Sequence, residues 1–393
     1  MIHELSVTNF KSLKDVSVRL GQRNVLVGPN LSGKSNIVQS LRLLCEMVRP
    51  PTGSYGLPNA VMTLGGFSEV SWKGSGLPGP ISIALTGVGE PFTSFSGQAR
   101  WEYHLMIVGG PDGILRVQDE SLCVESGGRR YNLIDGVGGD RKFKGRDDRL
   151  ISSVGSPERT ALEFEIPDWD GNALRRFFQS FQFFRLMPPL MRSSNQAAAA
   201  NFLMEHGDNF SSWMMTLQTR YEESFSRIVR VTRDAFPGLE RLFAVPTQHG
   251  QVFVSSQERH LKKQVPLYQM SDGELAFVAL LSLIFSPPEL AAPLYCIEEP
   301  ENNLHPRILS MLVEVLKQVQ SEFPPEQRSQ IVITTHSPYL VDQFSLEELI
   351  VLEKREGATV VVRPSDKTHL QDLLKSEEIG LGELFYSGAL SGD

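Results

Sequence analysis

Eight residues near the amino end, Gly28–Ser35, read GPNLSGKS and match the pattern G-x-x-x-x-G-K-[ST] of a phosphate-binding loop. A short apolar segment precedes them and apolar residues at helical spacing follow, so the loop joins a strand to a helix. In that setting, backbone N–H groups and the helix N-terminus surround phosphates. We expect Lys34 to reach the β- and γ-phosphates of ATP and the Ser35 hydroxyl to bind Mg²⁺. The residues predicted to hold the nucleotide here are Gly28, Pro29, Asn30, Ser32, Gly33, Lys34, Ser35 and Asn36.

A second segment, LYCIEEPENNLHP (Leu294–Pro306), runs from an apolar strand directly into two adjacent carboxylates. A magnesium ion beside a phosphate loop needs an acid at the end of a neighbouring strand, and Glu298 is predicted to fill that role. Glu299, one residue beyond the strand, is predicted to accept a proton from the attacking water. A solvated strand end with two surface charges is the alternative.

Two further motifs carry polar groups near the same elements. Ser271 and Gly273 lie in MSDGE, directly before an apolar helix, and the N-terminus of a helix is an anion site. Ser271 and Glu274 are also three residues apart, the spacing of a capping box, and both interpretations hold together. His336, in VITTHSPYL, follows a strand and is a candidate contact for a γ-phosphate.

Composition limits the class of protein. The 393 residues carry a net charge of −8, so nucleic-acid binding would have to be local rather than a property of the whole chain. The three cysteines have neither metal nor disulfide spacing, which favours a reducing, cytoplasmic setting. No signal peptide is predicted, and the longest apolar run, Leu275–Phe285, is too short to span a membrane.

The order of elements predicts an α/β fold of the P-loop NTPase class. A hairpin is expected around residues 9–14, loop over 50–80, a β-rich region from 81 to 166 with a charged loop at GGDRKFKGRDDRL, and helix over most of 172–246. Strand and helix alternate in the last third, and the end of the chain is expected to be flexible. The predicted domains are a discontinuous nucleotide-binding core (1–50 and 265–393), a β-rich insertion (51–170) and a mostly helical insertion (171–264).

Taken in this order, the motifs resemble those of the ABC-type ATPase heads of the SMC, RecF and OLD proteins. The resemblance is specific over residues 1–45 and 265–345. It implies an ABC-ATPase-like head with a mixed sheet, and a homodimer with two ATP molecules between the subunits. It further implies that Ser271 and Gly273 contact the γ-phosphate held by the opposite subunit, and that His336 senses it. Asn302 and Asn303 correspond to the D-loop, which crosses the interface.

The chain departs from the family pattern in several ways. Glu298 stands where Asp is usual, and the MSDGE signature argues against a transporter. No Q-loop glutamine is found in Ala60–Gly76. The separation of Lys34 from Ser271 is too short for SMC coiled-coil arms, and the segment after His336 is too short for the TOPRIM nuclease domain of OLD proteins. We therefore expect a stand-alone OLD-like or RecF-like ATPase.

The candidate partners are a nucleic acid and a separate protein subunit. Basic residues cluster at Arg129–Arg130, Arg141–Arg149 and Arg259–Lys263, as solvated loops or as a local patch for a nucleic-acid backbone. The first hypothesis is a DNA-linked ATPase in DNA repair or antiviral defence, with a separate nuclease or toxin subunit. The second is a nucleotide-gated switch or scaffold with little turnover. A Glu299→Gln variant with unchanged turnover would favour the switch.

Overall fold

The computed structural model describes residues 1–49, 56–74, 76–95, 98–110, 113–324, 327–366, 370 and 380–390. The chain forms two compact units, each built from separate stretches of sequence. The first comprises Met1–Phe181, Gln330–His336 and Ser345–Asp393, and the second comprises Gln182–Ser329 and Ser337–Phe344. Among the described residues, no helix has the length and apolar character needed to cross a membrane.

The strands and helices are numbered in chain order. The strands are β1 (Ile2–Phe10), β2 (Leu13–Arg19), β3 (Arg23–Val27), β4 (Ile81–Val88), β5 (Arg100–Gly109), β6 (Leu115–Ser126), β7 (Arg129–Val137), β8 (Asp140–Lys144), β9 (Leu150–Gly155), β10 (Gln182–Phe184), β11 (Asn195–Gln196), β12 (Leu239–Pro246), β13 (Gln251–Glu258), β14 (Val265–Pro266), β15 (Leu294–Glu298), β16 (Gln330–Thr335), β17 (Leu349–Arg355) and β18 (Ala358–Val362). The helices are α1 (Lys34–Val48), α2 (Leu57–Thr63), α3 (Phe67–Val70), α4 (Asn172–Gln179), α5 (Pro188–Met191), α6 (Phe210–Arg220), α7 (Glu222–Ala235), α8 (Asp272–Ile284), α9 (Pro306–Ser321), α10 (Pro338–Val341) and α11 (Leu381–Tyr386).

The first unit contains a short parallel arrangement that carries the phosphate loop. Strand β3 lies between β16 and β17 and is parallel to both, and β18 pairs antiparallel with β17. Val25, Leu26 and Val27 are fully buried. A continuous apolar run is what a strand needs when both of its faces are covered.

The same unit contains a long antiparallel sheet in the order β2, β1, β4, β5, β6, β7, β8, β9. Along β4 every second residue is buried, so this sheet has one face toward a core and one toward solvent. Six of its strands, β4 to β9, lie in the β-rich region 81–166 that the alternating, glycine-broken segments predict, and β1 and β2 add the amino-terminal hairpin.

The second unit is built around helix α8. Every residue from Leu275 to Leu283 is buried, as expected for a helix that is apolar on all sides. Strand β15 pairs in parallel with β10. Strand β13 pairs antiparallel with β11, β12 and β14.

Several predicted elements are confirmed and three are wrong. The hairpin β1–β2, the strand and helix around the phosphate loop, and the strand pair β17–β18 are found. The loop predicted over 50–80 contains helices α2 and α3, while residues 50–55 and 75 lie outside the described part. The charged loop at 138–150 contains strand β8 and the start of β9, and the region 172–246 includes strands β10, β11 and β12. At the end of the chain, helix α11 reaches Tyr386, and 391–393 are outside the described residues. The predicted domain boundaries stay a prediction.

Candidate functional site

The phosphate loop begins with a glycine that no other residue could replace without rearrangement. Gly28 follows β3 and has φ of 152°. A Cβ atom there would lie 2.2 Å from the carbonyl oxygen of Leu352 on β17. Both the backbone angle and the close approach of a neighbouring strand therefore require glycine.

A cluster of polar side chains holds the other end of the loop. Gly33 has φ of 108°, and a Cβ there would lie 2.1 Å from the Thr359 hydroxyl oxygen. That hydroxyl donates to the Ser32 carbonyl oxygen at 2.8 Å and lies 2.7 Å from Ser12 Oγ. The Asn36 amide donates to the same Ser12 Oγ at 2.7 Å. The predicted binding residue Asn36 thus contacts a side chain at the turn between β1 and β2. Hydrogen bonds with Thr359 and Ser12 therefore hold this end of the phosphate loop in place.

Lys34 is buried, with 6% of its surface exposed, and its ammonium group turns back onto the loop. Nζ donates to the carbonyl oxygens of Gly28 (2.7 Å) and Pro29 (3.0 Å). Phosphate oxygens are stronger acceptors for an ammonium group than neutral carbonyls are. The lysine is therefore held where an incoming polyphosphate can replace its carbonyl partners.

The start of helix α1 has the features of an anion site. Within residues 34–48, the first turn holds no acidic side chain, and no side chain caps the helix N-terminus. The N-terminal N–H groups and the helix dipole favour a negatively charged ligand there. Ser35 is exposed in this first turn, while Pro29 and Asn30 are exposed on the loop itself.

His336 belongs to the same unit as the loop. It follows β16 directly, and the last residue of that strand, Thr335, pairs with Val27, the last residue of β3. His336 and Gly28 are the first residues after these two strands. Because neighbouring parallel strands end at the same sheet edge, the two residues lie next to each other there. His336 is exposed and so is accessible to a ligand.

The two predicted carboxylates lie in the second unit, at the end of β15. Glu298 and Glu299 are both half-buried. Glu299 has φ of 48°, an uncommon angle for a residue with a side chain, so the chain turns sharply here. The Asn302 amide donates to Glu299 Oε2 at 3.1 Å and thereby orients the carboxylate. The strand end is therefore half-buried and Glu299 has a hydrogen-bond partner, while the roles of the two carboxylates stay a prediction.

An arginine that sequence reasoning missed lies beside these acids. Arg185 directly follows β10, the parallel neighbour of β15, so it lies at the same sheet edge as Glu298 and Glu299. All three line a cavity of about 260 Å³. The only signal in the sequence is a single charge after the apolar run FQFF. In the region where the sequence lacks a Q-loop glutamine, residues 60–63 end helix α2 and residues 67–70 form helix α3.

The signature segment forms the start of α8. Ser271 Oγ accepts from the Glu274 N–H at 3.2 Å, and Glu274 Oε2 accepts from the Ser271 N–H at 2.8 Å, which is the predicted capping box. Arg192 holds the same turn by donating to the Met270 carbonyl oxygen and to Asp272. No motif in the sequence points to Arg192.

Gly273 is required by packing as well as by any ligand. A Cβ at this position would lie 2.8 Å from the carbonyl oxygen of Asn303, whose φ is 70°. The predicted D-loop residue Asn303 and the predicted signature residue Gly273 are thus in direct contact within the second unit. The signature and the acidic segment are held in a fixed relation there.

The candidate magnesium ligands are oxygen atoms, as Mg²⁺ prefers. Ser35 supplies a hydroxyl and Glu298 a carboxylate. Across the part of the chain that the structure describes, no group of three or more His, Cys, Asp or Glu side chains is placed to hold a metal. Magnesium at nucleotide sites usually takes one or two protein oxygens together with substrate phosphates, so the hydroxyl of the first unit and the carboxylate of the second are each of a type that suits the ion.

The fold and these motifs define the class as an ABC-type ATPase head. Residues 23–342 match the family described as "AAA domain, putative AbiEii toxin, Type IV TA system", and the chain belongs to that family. It is also 23% identical over 399 residues to the OLD nuclease of Thermus scotoductus, with 97% of this chain and 68% of that protein covered.

Solved structures show the same fold. An Smc head bound to the C-terminal winged-helix domain of ScpA aligns with a TM-score of 0.56 and 18% identity, over 92% of this chain and 97% of that one. An Smc head with an extended coiled coil, bound to the C-terminal domain of ScpA derived from Pyrococcus furiosus, aligns with a TM-score of 0.54 and 14% identity, over 95% and 99%. The predicted fold class, a P-loop, ABC-ATPase-like head with β-rich insertion, is confirmed.

Proposed function

We propose that the chain hydrolyses ATP to ADP and phosphate with Mg²⁺ and works as a dimer that controls a partner. The observation that carries the proposal is the phosphate loop. Its lysine is buried on two carbonyl oxygens, and its backbone is held by the Thr359 hydroxyl, which in turn bonds to Ser12 Oγ. Such a loop is preorganised for a polyphosphate, so little ordering remains to be done on binding.

Each polar residue then has a chemical task. Lys34 exchanges its carbonyl partners for β- and γ-phosphate oxygens. Ser35 and Glu298 are the proposed magnesium ligands, and the ion would neutralise charge that develops on the phosphates. Glu299, oriented by Asn302, takes a proton from water as the water oxygen bonds to the γ-phosphorus and the bond to the ADP oxygen breaks. His336 donates to a γ-phosphate oxygen.

The dimer is proposed from the family resemblance. In it, Ser271 and Gly273 of one subunit contact the nucleotide of the other, with Asn302 and Asn303 at the interface. The Ser271 hydroxyl is engaged with Glu274, so this contact would use the exposed helix start as well as the side chain.

A partner in defence is supported by the family description, which names a putative AbiEii toxin and a type IV toxin–antitoxin system. The similarity to an OLD nuclease supports a nuclease as the alternative partner. In either case we propose that a separately encoded effector acts while this chain supplies the ATP-dependent control. A nucleotide-gated scaffold with little turnover is the second candidate function.

Steady-state ATP turnover of wild type, Lys34→Ala and Glu299→Gln tests the proposal. We expect Lys34→Ala to lose nucleotide binding, because the phosphate charge loses its partner. Glu299→Gln should still bind ATP but turn over about a hundredfold or more slowly, as expected for loss of a general base. Unchanged turnover in Glu299→Gln would favour the scaffold, and unchanged ATP affinity in Lys34→Ala would contradict the loop assignment.

A further inference from the structure

The basic clusters of the sequence differ in how far neighbouring carboxylates neutralise them in the structure. In the first unit, Arg141 is fully buried against Glu120, while Lys144 and Arg146 pair with Asp135 and Asp170. Lys142 and Arg149 stay exposed. Carboxylates therefore neutralise much of the cluster that looked most basic in the sequence, and Arg141 and Arg146 are used within the fold.

The third cluster is not neutralised in this way. Arg259 lies in the second unit and lines a hollow of about 510 Å³ together with Arg230 and Arg233 of helix α7. Those two arginines also line an adjoining hollow of about 800 Å³, together with Arg241 of strand β12. Residues distant in sequence thus form one continuous basic groove, which we call the α7–β12 groove.

The arginines of the α7–β12 groove are available to a ligand. All four are exposed, and within the described residues none has a carboxylate at salt-bridge distance. Helix α7 itself provides the comparison, because its Arg227 donates to both carboxylate oxygens of Glu322 at 2.8 Å. Arg230 and Arg233 are three residues apart and so lie on one face of the helix.

Charge along the groove remains positive after its acids are counted. Asp234 and Glu240 also line it. The four arginines outnumber these two acids. Arg259 lines one hollow and Gln264 lines the other, and the segment between them adds the positive charges of Lys262 and Lys263. In a chain of net charge −8, an excess of unpaired guanidinium groups in a concave surface favours a polyanion.

Two aromatic rings identify the kind of polyanion. Phe225 of α7 and Phe243 of β12 are half-exposed and line the same hollow as Arg230, Arg233 and Arg241. Arginines that follow a phosphate backbone, interleaved with aromatic faces on which bases stack, are the features of single-stranded nucleic-acid sites. A duplex would contact the arginines through its phosphates, but its paired bases would not stack on the two rings.

We infer that the α7–β12 groove binds single-stranded nucleic acid, through phosphate contacts from its arginines and base stacking on Phe243. The inference gives the proposed ATPase its nucleic-acid ligand and rests on that function for its biological meaning. Nucleic-acid binding is tested without ATP, in wild type and in Lys34→Ala. The groove assignment and the proposed ATPase function can therefore fail separately.

The experiment is fluorescence anisotropy of a labelled oligothymidylate at several salt concentrations. Each lost phosphate contact lowers the magnitude of the slope of log K against log salt by about 0.7 for a single strand. We expect Arg230→Ala/Arg233→Ala to reduce the slope by about 1.4 and to weaken binding about tenfold or more. Phe243→Ala should weaken binding about fivefold or more with the slope unchanged, because a stacked base carries no counterion.

The matched control is Arg19→Ala/Arg130→Ala, which removes the same charge from exposed arginines that pair with Asp366 and Glu125. It should bind within about twofold of wild type, and all variants should keep the wild-type melting midpoint. Equal loss in the control would overturn the groove as the site. Equal affinity for duplex DNA together with an unaffected Phe243→Ala would overturn the single-strand assignment, and equal affinity for polyglutamate would overturn nucleic acid as the ligand.

Discussion

The phosphate loop owes its shape to residues that its own pattern does not contain. Glycines and a lysine at fixed spacing are enough to recognise Gly28–Ser35 in the sequence. The Thr359 hydroxyl that holds the Ser32 carbonyl comes from more than 300 residues away, at the start of β18. No spacing rule predicts such a contact, because it depends on the pairing of β18 with β17 and of β17 with β3.

Thr359→Val tests this contact, the brace that the Thr359 hydroxyl provides to the Ser32 carbonyl oxygen, at the scale of a single residue. Valine fills the same space without the hydroxyl, so the Ser32 carbonyl loses its donor while the buried shape is kept. A hydrogen bond of this kind contributes about 0.5–1.5 kcal/mol. We therefore expect the Kd for ATP to rise about threefold to tenfold, measured by nucleotide titration, with turnover at saturating ATP little changed. Thr219→Val, which removes a hydroxyl bonded to a carbonyl oxygen at an exposed position of helix α6, is the control. An unchanged Kd in Thr359→Val would show that the brace is not needed.

At the scale of elements, strands β6, β7 and β8 are joined by a buried ion pair. Glu120 on β6 and Arg141 on β8 flank Gly136 of β7 in the register of the sheet. Because Gly136 has no side chain, the Arg141 guanidinium reaches over it, and Nε lies 3.2 Å from Glu120 Oε2. The same carboxylate accepts from the Ala161 N–H (2.6 Å) and from the Tyr103 hydroxyl (3.0 Å).

This pair explains why the charged segment at 138–150 is wrongly predicted as a loop. Strands are recognised by alternation of apolar and polar residues, and Arg141 occupies an inward position that the rule reserves for an apolar side chain. The segments that were predicted well, such as β1, β4 and α8, bury apolar residues at the expected spacing. The rule fails where a polar residue is buried against a partner that lies two strands away.

Burial raises the pKa of the Glu120 carboxyl from 4.5 to about 7, against the opposing effect of its hydrogen-bond donors. A raised folded-state pKa means that the folded protein binds the proton more tightly than the unfolded chain. Stability from this group is therefore complete below about pH 4.5 and is lost as pH rises to about 7. We expect denaturant unfolding midpoints of wild type to fall over this range, and those of Glu120→Gln to fall less. Parallel curves for the two proteins would contradict the assignment.

At the scale of the whole molecule, the motifs are divided between two compact units. The phosphate loop and His336 belong to the first, and Glu298, Glu299, Ser271 and Gly273 belong to the second. The family resemblance adds a second copy of the chain, whose Ser271 and Gly273 would complete each nucleotide site. If this is so, a chain that binds ATP without hydrolysing it should accumulate as a dimer.

Glu299→Gln provides that state, because the amide keeps the shape of the carboxylate but does not accept the proton from water. With saturating ATP and Mg²⁺, we expect light scattering on a sizing column to give twice the mass of one chain. The dimer should dissociate when ATP is replaced by ADP, which lacks the γ-phosphate that the opposite Ser271 would contact. The double variant Lys34→Ala/Glu299→Gln is the control and should be unaffected by ATP, since it has lost the loop's lysine. A monomeric Glu299→Gln that nonetheless binds ATP would rule out the sandwich and leave each chain to act on its nucleotide alone.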